Sequence, residues 1–485
     1  MVVNSLPFWY FFIALLIPYW LASKCKTSKW QNILLLVASY YFYACASWKM
    51  CFLLAAATLI FYGLGIAIER FNTSNSKAAS RLTSLGVCLG VGLLVYYKFL
   101  DFFVVEFGEL LTSIGLQNNI RSFGIIMPLG ISFFTFKLIS YVIEVHRGNM
   151  AASKNIVDFG VFISFFPTIL SGPIDRPKEF ISQLPEKRKP LYDNLMGGAK
   201  NIIWGLFLKM CIADRIASYT DSVFCDYASH SGTTLLLAMF FYAIQMYTDF
   251  CGYTEMAIGV SKILGIKIRP NFNRPFLAQN VAEYWRRWHM SLTTWLTDYL
   301  FMPLCVVFRD WGKFGLYLAT VINLVVVGFW HGANWTYGLF GLYHGLLIVA
   351  VTAAEKRRKK LEKKYKLKDK WGYRLPRIML TFFFVSFGLL IFQAPSVNVF
   401  FKETFRIITE QDITNIYRGQ SFREFAWTLV FIFIFLSKEF VQEFLPSVCK
   451  LYDKQYIRWA CFYLICTIIL LFGFISEGKF IYVQF

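Results

Sequence analysis

Apolar runs of about twenty residues recur along nearly the whole chain and alternate with short polar loops. This length matches the ~20 apolar residues that a helix needs to cross a bilayer, so we predict an all-α polytopic membrane protein with about 11–13 transmembrane helices. The first run has no basic stretch before it and no small-residue cleavage motif after it, which favours a span over a signal peptide. The predicted spans are residues 6–22, 31–47, 50–68, 84–105, 122–143, 198–219, 233–250, 314–330, 335–353, 378–394, 425–443 and 457–476.

Two further apolar pieces are short or interrupted and do not fit this series. Val157–Ser171 ends in Ser-Gly-Pro, and Leu292–Phe308 contains Asp298 and Pro303. Broken segments occur at membrane depth only where they are buried in protein or line a cavity. We therefore expect re-entrant or in-plane segments around a central chamber.

Composition and charge agree with a membrane protein. Of the 485 residues, 57% are hydrophobic and 16% are charged, whereas soluble domains carry about 25% charged residues. The formal net charge is +20, but the basic residues lie in short loops, as the positive-inside rule requires, so we expect membrane lipid as a partner and no nucleic acid. The 11 cysteines form no Cys-x-x-Cys pair and no metal-ligand spacing with histidine, which disfavours a disulfide scaffold and a metal site.

The same rule predicts the topology of the loops. The loop around Lys24, Lys26 and Lys29 is placed in the cytoplasm, which puts the N-terminus outside. The basic regions 176–200 and 356–377 are placed on the cytoplasmic side as well. The second of these is a run of lysines and arginines that we interpret as a linker, solvated along the anionic inner leaflet.

His331 is the polar residue that most needs an explanation. It lies in Gly328–Trp335, between apolar flanks that suggest membrane depth. Ionisable groups at that depth are costly and usually serve a pathway or a reaction. The alternative is a packing histidine with one satisfied hydrogen bond.

Chemistry is also expected in a polar block that begins at Gln245. The stretch Gln245–Ala257 brings two carboxylates and two tyrosines into an apolar helix, and Arg269–Phe276 and Tyr284–Leu292 add aromatic, basic and amide groups. An interfacial belt of tryptophan, tyrosine and lipid-paired arginine would explain much of this composition. It would leave His289 and Asp249 without a role.

These motifs resemble the bacterial branch of the membrane-bound O-acyltransferase (MBOAT) family. The main matches are Trp285–Leu292, Phe329–Trp335 and Gly341–Gly345, and further blocks lie at Gly130–Phe136, Phe166–Ile174 and Tyr247–Ala257. In the last block the family more often has serine where Cys251 stands and aspartate where Glu255 stands. The resemblance covers about residues 1–395, which we take as an MBOAT-like membrane core with its catalytic region at 245–350, followed by a C-terminal transmembrane extension at 396–485.

The resemblance implies that His331 is the essential catalytic residue and that His289 is the second member of the site. A neutral imidazole suits the first role, because it can take the proton of a hydroxyl that attacks a thioester, and desolvation disfavours imidazolium. His289 would donate to the developing oxyanion or orient substrate. Possible supporting residues are Asp249, Tyr253, Glu255 and Asn334, for which packing is the competing explanation.

The family also implies an O-acetyltransferase of the bacterial cytoplasmic membrane, with no bound cofactor. Acetyl would pass from a cytosolic thioester, acetyl-CoA or an acyl carrier, toward an exopolysaccharide of the alginate kind or a cell-wall polysaccharide. A separate extracytoplasmic transferase of the SGNH type is an expected partner. No Gly-rich phosphate loop identifies the donor from the residues themselves.

Three alternatives stay open from the sequence. A related protein of the same branch would transfer D-alanine from a carrier protein to teichoic acid, although the spans after Ala394 favour polysaccharide acetylation. A transporter would use His331 on an intramembrane proton path and would be favoured by an inverted repeat, which we do not detect. A purely structural scaffold would keep its activity without His331.

Overall fold

The computed structural model describes residues 3–116, 119–368, 370–419 and 421–474. The structure is 77% helical, and no β-strand occurs in these ranges. The predicted all-α class is therefore confirmed. The last two residues of the predicted span 457–476 lie outside the described residues.

Twenty-one α-helices follow one another along the described chain. The first nine are α1 (Leu6–Ala22), α2 (Lys29–Ala44), α3 (Trp48–Ser74), α4 (Ser76–Leu94), α5 (Leu100–Ser113), α6 (Ile131–His146), α7 (Ile156–Ser164), α8 (Pro177–Ile181) and α9 (Tyr192–Leu206). The others are α10 (Asp214–Cys225), α11 (Gly232–Ile263), α12 (Val281–Arg287), α13 (Met290–Leu296), α14 (Met302–Val307), α15 (Gly312–His331), α16 (Trp335–Tyr365), α17 (Trp371–Gln393), α18 (Val397–Thr409), α19 (Phe422–Phe444), α20 (Pro446–Cys449) and α21 (Gln455–Phe472).

Nine helical segments in the described ranges are long and apolar enough to cross a membrane. They are Trp48–Ser74, Ser76–Ser113, Tyr192–Cys225, Gly232–Ile263, Met290–Val307, Arg309–His331, Trp335–Tyr365, Trp371–Gln393 and Gln455–Phe472. α1 is a shorter apolar helix of 17 residues. The protein is thus a multi-pass membrane protein, as the apolar runs predicted.

Two sequence-based boundaries are wrong. The predicted span 122–143 is not helical before Ile131, because Pro128 and the left-handed Gly130 (φ 70°) precede the helix start. The piece Leu292–Phe308, treated as interrupted, belongs to a continuous candidate span, Met290–Val307. Neither Asp298 nor Pro303 breaks this span. Asp298 lies in a π-helical turn at Thr297–Phe301. Pro303 lies in the first turn of α14, where proline is tolerated.

The chain divides into two compact units, as far as the structure describes them. The first unit comprises residues 1–202 and 254–269, and the second comprises residues 203–253 and 270–485. In the first unit, α7 has only nine residues and continues into the buried, non-helical stretch 165–171. The prediction of a short segment buried in protein is confirmed here.

In the second unit, α15 and α16 approach each other closely enough for backbone contact. A Cβ at Gly328 would overlap the carbonyl oxygen of Tyr337, and a Cβ at Gly341 would overlap that of Leu324. Small residues allow membrane helices to pack in this way. This hairpin fixes the end of α15, where His331 lies.

Gly328→Ala should destabilise the protein by about 1–3 kcal/mol, because the added methyl group must push the two helices apart. Gly63→Ala in α3 is the matched control, since its Cβ would meet no atom within 4 Å. Thermal unfolding of detergent-solubilised protein, followed by loss of the monodisperse peak, measures the difference. Equal midpoints for the two variants would contradict the close packing.

Candidate active site

His331 is the last residue of α15 and is 3% exposed. Its position is fixed by the short turn into α16. Asn334 caps α16, because its side-chain oxygen accepts a hydrogen bond from the Thr336 backbone N–H at 3.0 Å, and its Nδ2 donates to the Pro395 carbonyl at 3.0 Å. The predicted supporting residue Asn334 therefore holds the turn that follows His331.

Aromatic rings surround the His331 imidazole. Its ring centroid lies 4.9 Å from that of Trp330, 5.1 Å from that of Phe392 and 6.5 Å from that of Phe340. Phe392 is at the end of α17 and Phe340 is in α16. His331 therefore lies in a buried, largely apolar environment formed by three helices.

His289 lies directly before α13 and is fully buried. Its ring centroid is 4.7 Å from that of Phe250 and 5.7 Å from that of Trp330. Trp330 therefore contacts both imidazoles. The structure brings together, around this indole, the two histidines that the sequence selected.

The backbone at His289 is left-handed, with φ 43°, which is uncommon for a residue other than glycine. Asn271 accepts hydrogen bonds from the two residues that directly follow His289. The Met290 backbone N–H donates to the Asn271 carbonyl at 2.8 Å, and the Ser291 hydroxyl donates to Asn271 Oδ1 at 2.6 Å. Sequence reasoning placed Asn271 in the polar block and gave it no role, because nothing in the local pattern indicates its partner.

Asp249 belongs to a buried ion cluster. Lys209 Nζ lies 2.7 Å from Asp249 Oδ1 and 2.9 Å from Asp214 Oδ1. All three side chains are almost completely buried, and Lys209 lies in a π-helical turn at Phe207–Ala213. Sequence reasoning missed Lys209, although a lone lysine inside an apolar run was a usable signal.

The two remaining predicted residues, Tyr253 and Glu255, belong to different units. Tyr253 is fully buried in the part of α11 that belongs to the second unit. Glu255 belongs to the first unit and accepts a hydrogen bond from Asn201. His289, His331, Asn334, Asp249 and Tyr253 thus share one unit, and Glu255 does not.

His344, which follows the second motif, is a fully buried helix residue. Its Nδ1 accepts a hydrogen bond from the Trp285 indole at 3.2 Å, and its ring lies against Gly388 of α17. These contacts are those of a residue packed in the protein core. In the described ranges, no three histidine, cysteine, aspartate or glutamate side chains are grouped so as to hold a metal ion.

A charged cleft of about 560 Å³ lies in the first unit. Its lining includes Lys187, Lys189 and Lys267, which are exposed and form no ion pair with another residue that the structure describes. Glu179 is paired with Arg269, and hydrogen bonding from this guanidinium lowers the pKa of Glu179. Two arginines and three carboxylates also line the cleft, so its cationic side chains outnumber its carboxylates five to three.

Comparison with known proteins identifies the class. Residues 9–393 match the family model of the membrane-bound O-acyltransferase family, and the chain belongs to this family. It is an O-acyltransferase.

Its relatives include proteins with different acceptors. The chain is 35% identical over 407 residues to the probable alginate O-acetylase AlgI of Pseudomonas aeruginosa. The aligned region covers 82% of this chain and 73% of that protein. It is 28% identical over 414 residues to a peptidoglycan O-acetyltransferase of Helicobacter pylori, covering 78% and 74%. It is 35% identical over 282 residues to a teichoic acid D-alanyltransferase of Bacillus subtilis, covering 57% and 69%.

Lys209→Met should lower stability by about 3–5 kcal/mol, because it leaves two carboxylates buried without their cation. Asp221→Asn is the control, since Asp221 is an exposed residue of α10, the helix that contains Asp214. The stability of both variants is measured as the midpoint of thermal unfolding in detergent. A Lys209→Met protein as stable as Asp221→Asn would show that the cluster contributes little.

Proposed function

We propose that this O-acyltransferase moves an acetyl group from a cytosolic thioester toward a hydroxyl of an extracytoplasmic polysaccharide. The observation that carries the proposal is the pair of buried imidazoles, His331 and His289, which both contact Trp330. Acyl transfer to a hydroxyl needs a base and a stabilised oxyanion. Two neighbouring imidazoles can supply both.

In the proposed reaction, the oxygen of the attacking hydroxyl forms a bond to the thioester carbonyl carbon, and His331 takes the proton of this hydroxyl. His289 donates a hydrogen bond to the oxyanion that develops. The tetrahedral intermediate then expels the thiolate, which receives the proton from His331. The products are an ester and a free thiol, and the enzyme returns to its starting state.

The comparisons favour acetylation of an exported or cell-wall polysaccharide. The alginate O-acetylase relative covers 82% of this chain, whereas the D-alanyltransferase relative covers 57%. The extent of the match thus supports acetyl over D-alanyl transfer. We place the protein in the bacterial cytoplasmic membrane, with an SGNH-type extracytoplasmic transferase as the partner that completes delivery to the polysaccharide.

The proposed donor is acetyl-CoA, and the charged cleft of the first unit supports it. Lys187, Lys189 and Lys267 line this cleft, and the region 176–200 that contains the first two is on the predicted cytoplasmic side. Lysine ammonium groups are common partners of phosphate. A donor with several phosphates therefore matches the charge of the cleft.

A triple substitution of Lys187, Lys189 and Lys267 by alanine should raise the KM for acetyl-CoA by about tenfold, since charge-assisted hydrogen bonds to phosphate contribute about 1.5–3 kcal/mol each before solvent screening. Membranes containing the variant are supplied with labelled acetyl-CoA at several concentrations, and label in polysaccharide is measured. In the control variant, alanine replaces Lys356, Lys360 and Lys363, which removes the same charge from the predicted cytoplasmic linker. If both variants raise the KM equally, general surface charge and not the cleft attracts the donor.

His331→Ala should reduce O-acetyl content of the extracellular or cell-wall polysaccharide at least ~100-fold, because general-base catalysis contributes about 10²–10⁴-fold. His289→Ala should retain partial activity. His230→Ala is the control, since its ring packs on Tyr417 in a loop. Ester-linked acetate and D-alanine released by mild base are quantified at equal levels of inserted protein.

The outcomes of this experiment separate the alternatives. Normal acetylation by a properly inserted His331→Ala protein would contradict a catalytic role for His331 and favour a scaffold. Loss of D-alanine rather than acetate would show that the acyl group is D-alanyl. Proton movement that depends on His331, without any transferred acyl group, would indicate a transporter.

A further inference from the structure

Helix α19 lies outside the residues that match the family model, but it contacts the polar block that contains His289. α19 spans Phe422–Phe444, and the match ends at residue 393. Glu439 in this helix is 7% exposed and accepts a hydrogen bond from the hydroxyl of Tyr247. Tyr247 lies in α11, three residues before Phe250, whose ring contacts His289. A helix outside the family match therefore reaches the interior of the site region.

Glu443, one turn further along α19, bridges two arginines of the motif region. Its Oε2 lies 2.8 Å from Arg274 Nε, and its Oε1 lies 2.9 Å from Arg287 Nη2. Arg287 also pairs with Glu283 at 2.7 Å. The side chains of Glu443 and Arg287 are 17% and 19% exposed, so solvent screens their ion pair only in part.

These ion pairs hold the two ends of the segment that leads into His289. Arg274 begins the segment, and Arg287 ends α12 two residues before His289. The two ends are also joined by the Asn273 backbone N–H, which donates to the Arg287 carbonyl at 2.9 Å. Glu443 thus connects α19 to both ends at once.

The backbone of this segment needs such support. Arg274 and His289 both have left-handed conformations, with φ 49° and 43°. Such conformations are costly for residues other than glycine and persist where the surrounding structure over-determines them. The contacts of Glu443 with Arg274 and Arg287 are placed to provide that constraint.

We infer that Glu443 is a positioning residue for acyl transfer, which sets the place of His289 through Arg274 and Arg287. Glu439 supports the same arrangement through Tyr247. The inference rests on the proposed function, because the proposed function assigns His289 to the reacting site. It gives the C-terminal extension a part in catalysis in addition to membrane anchoring.

The test compares Glu443→Gln with Glu424→Gln. Glu424 lies in the same helix and pairs with Arg215, and the two positions are roughly 28 Å apart at 1.5 Å per helical residue. Membranes with equal amounts of each inserted full-length variant are supplied with labelled acetyl-CoA over a range of concentrations. The rate of label incorporation into polysaccharide gives the maximal rate and the KM.

Glu443→Gln should lower the maximal rate about 10- to 100-fold, because a displacement of about 1 Å in a catalytic group costs up to 10²-fold. The KM for acetyl-CoA should change little, since Glu443 is placed to act on His289 and not on the donor. Glu424→Gln should keep both values. The charge exchange Arg274→Glu with Glu443→Arg should recover part of the rate that Glu443→Arg alone loses.

The results distinguish this inference from the proposed function. If the wild type transfers acetyl and Glu443→Gln has the kinetics of Glu424→Gln, the positioning role is wrong and the proposed function stands. If Glu443→Gln is poorly inserted and the charge exchange restores insertion without restoring the rate per molecule, Glu443 serves folding only and the inference is overturned. A wild-type protein that transfers no acetyl overturns both.

Discussion

Charge buried in a protein interior must be paired, and the second unit depends on this constraint. Lys209 is held between two carboxylates, and Glu443 is held between two arginines. Removing one partner from such a group leaves an uncompensated buried charge, which costs several kcal/mol. These ion pairs therefore tie the segment around Lys209 to α11, and α19 to the segment that leads into His289.

The two imidazoles show what this arrangement provides. Each is buried against aromatic rings, and Trp330 contacts both. Rings of this kind exclude water and leave few alternative rotamers for the side chains they surround. In the proposed mechanism, the base and the oxyanion donor would then be in place before substrate arrives, which is the condition under which electrostatic stabilisation is most effective.

The sequence predicted the helical class and the two histidines because both have local signals. Long apolar runs identify helices, and motif residues identify His289 and His331. The predicted span at 122–143 began too early because Pro128 and the left-handed Gly130 outweigh hydropathy there. Met290–Val307 was treated as interrupted because a π-helical turn that accommodates Asp298 has no local sequence signal. The contacts that Lys209, Asn271 and Glu443 make could not be predicted, since pairs between residues far apart in the chain have no periodicity. Asp249 was selected as a polar residue in an apolar helix, but its lysine partner was not recognised.

The close contact of α15 with α16 has an evolutionary consequence. The two helices meet through main-chain atoms at Gly328 and Gly341, so the place of His331 depends on backbone geometry more than on the choice of outward-facing side chains. Those outward positions are consequently free to diverge as membranes differ in thickness and lipid composition. The same hairpin can be carried into a new bilayer by changing its surface alone.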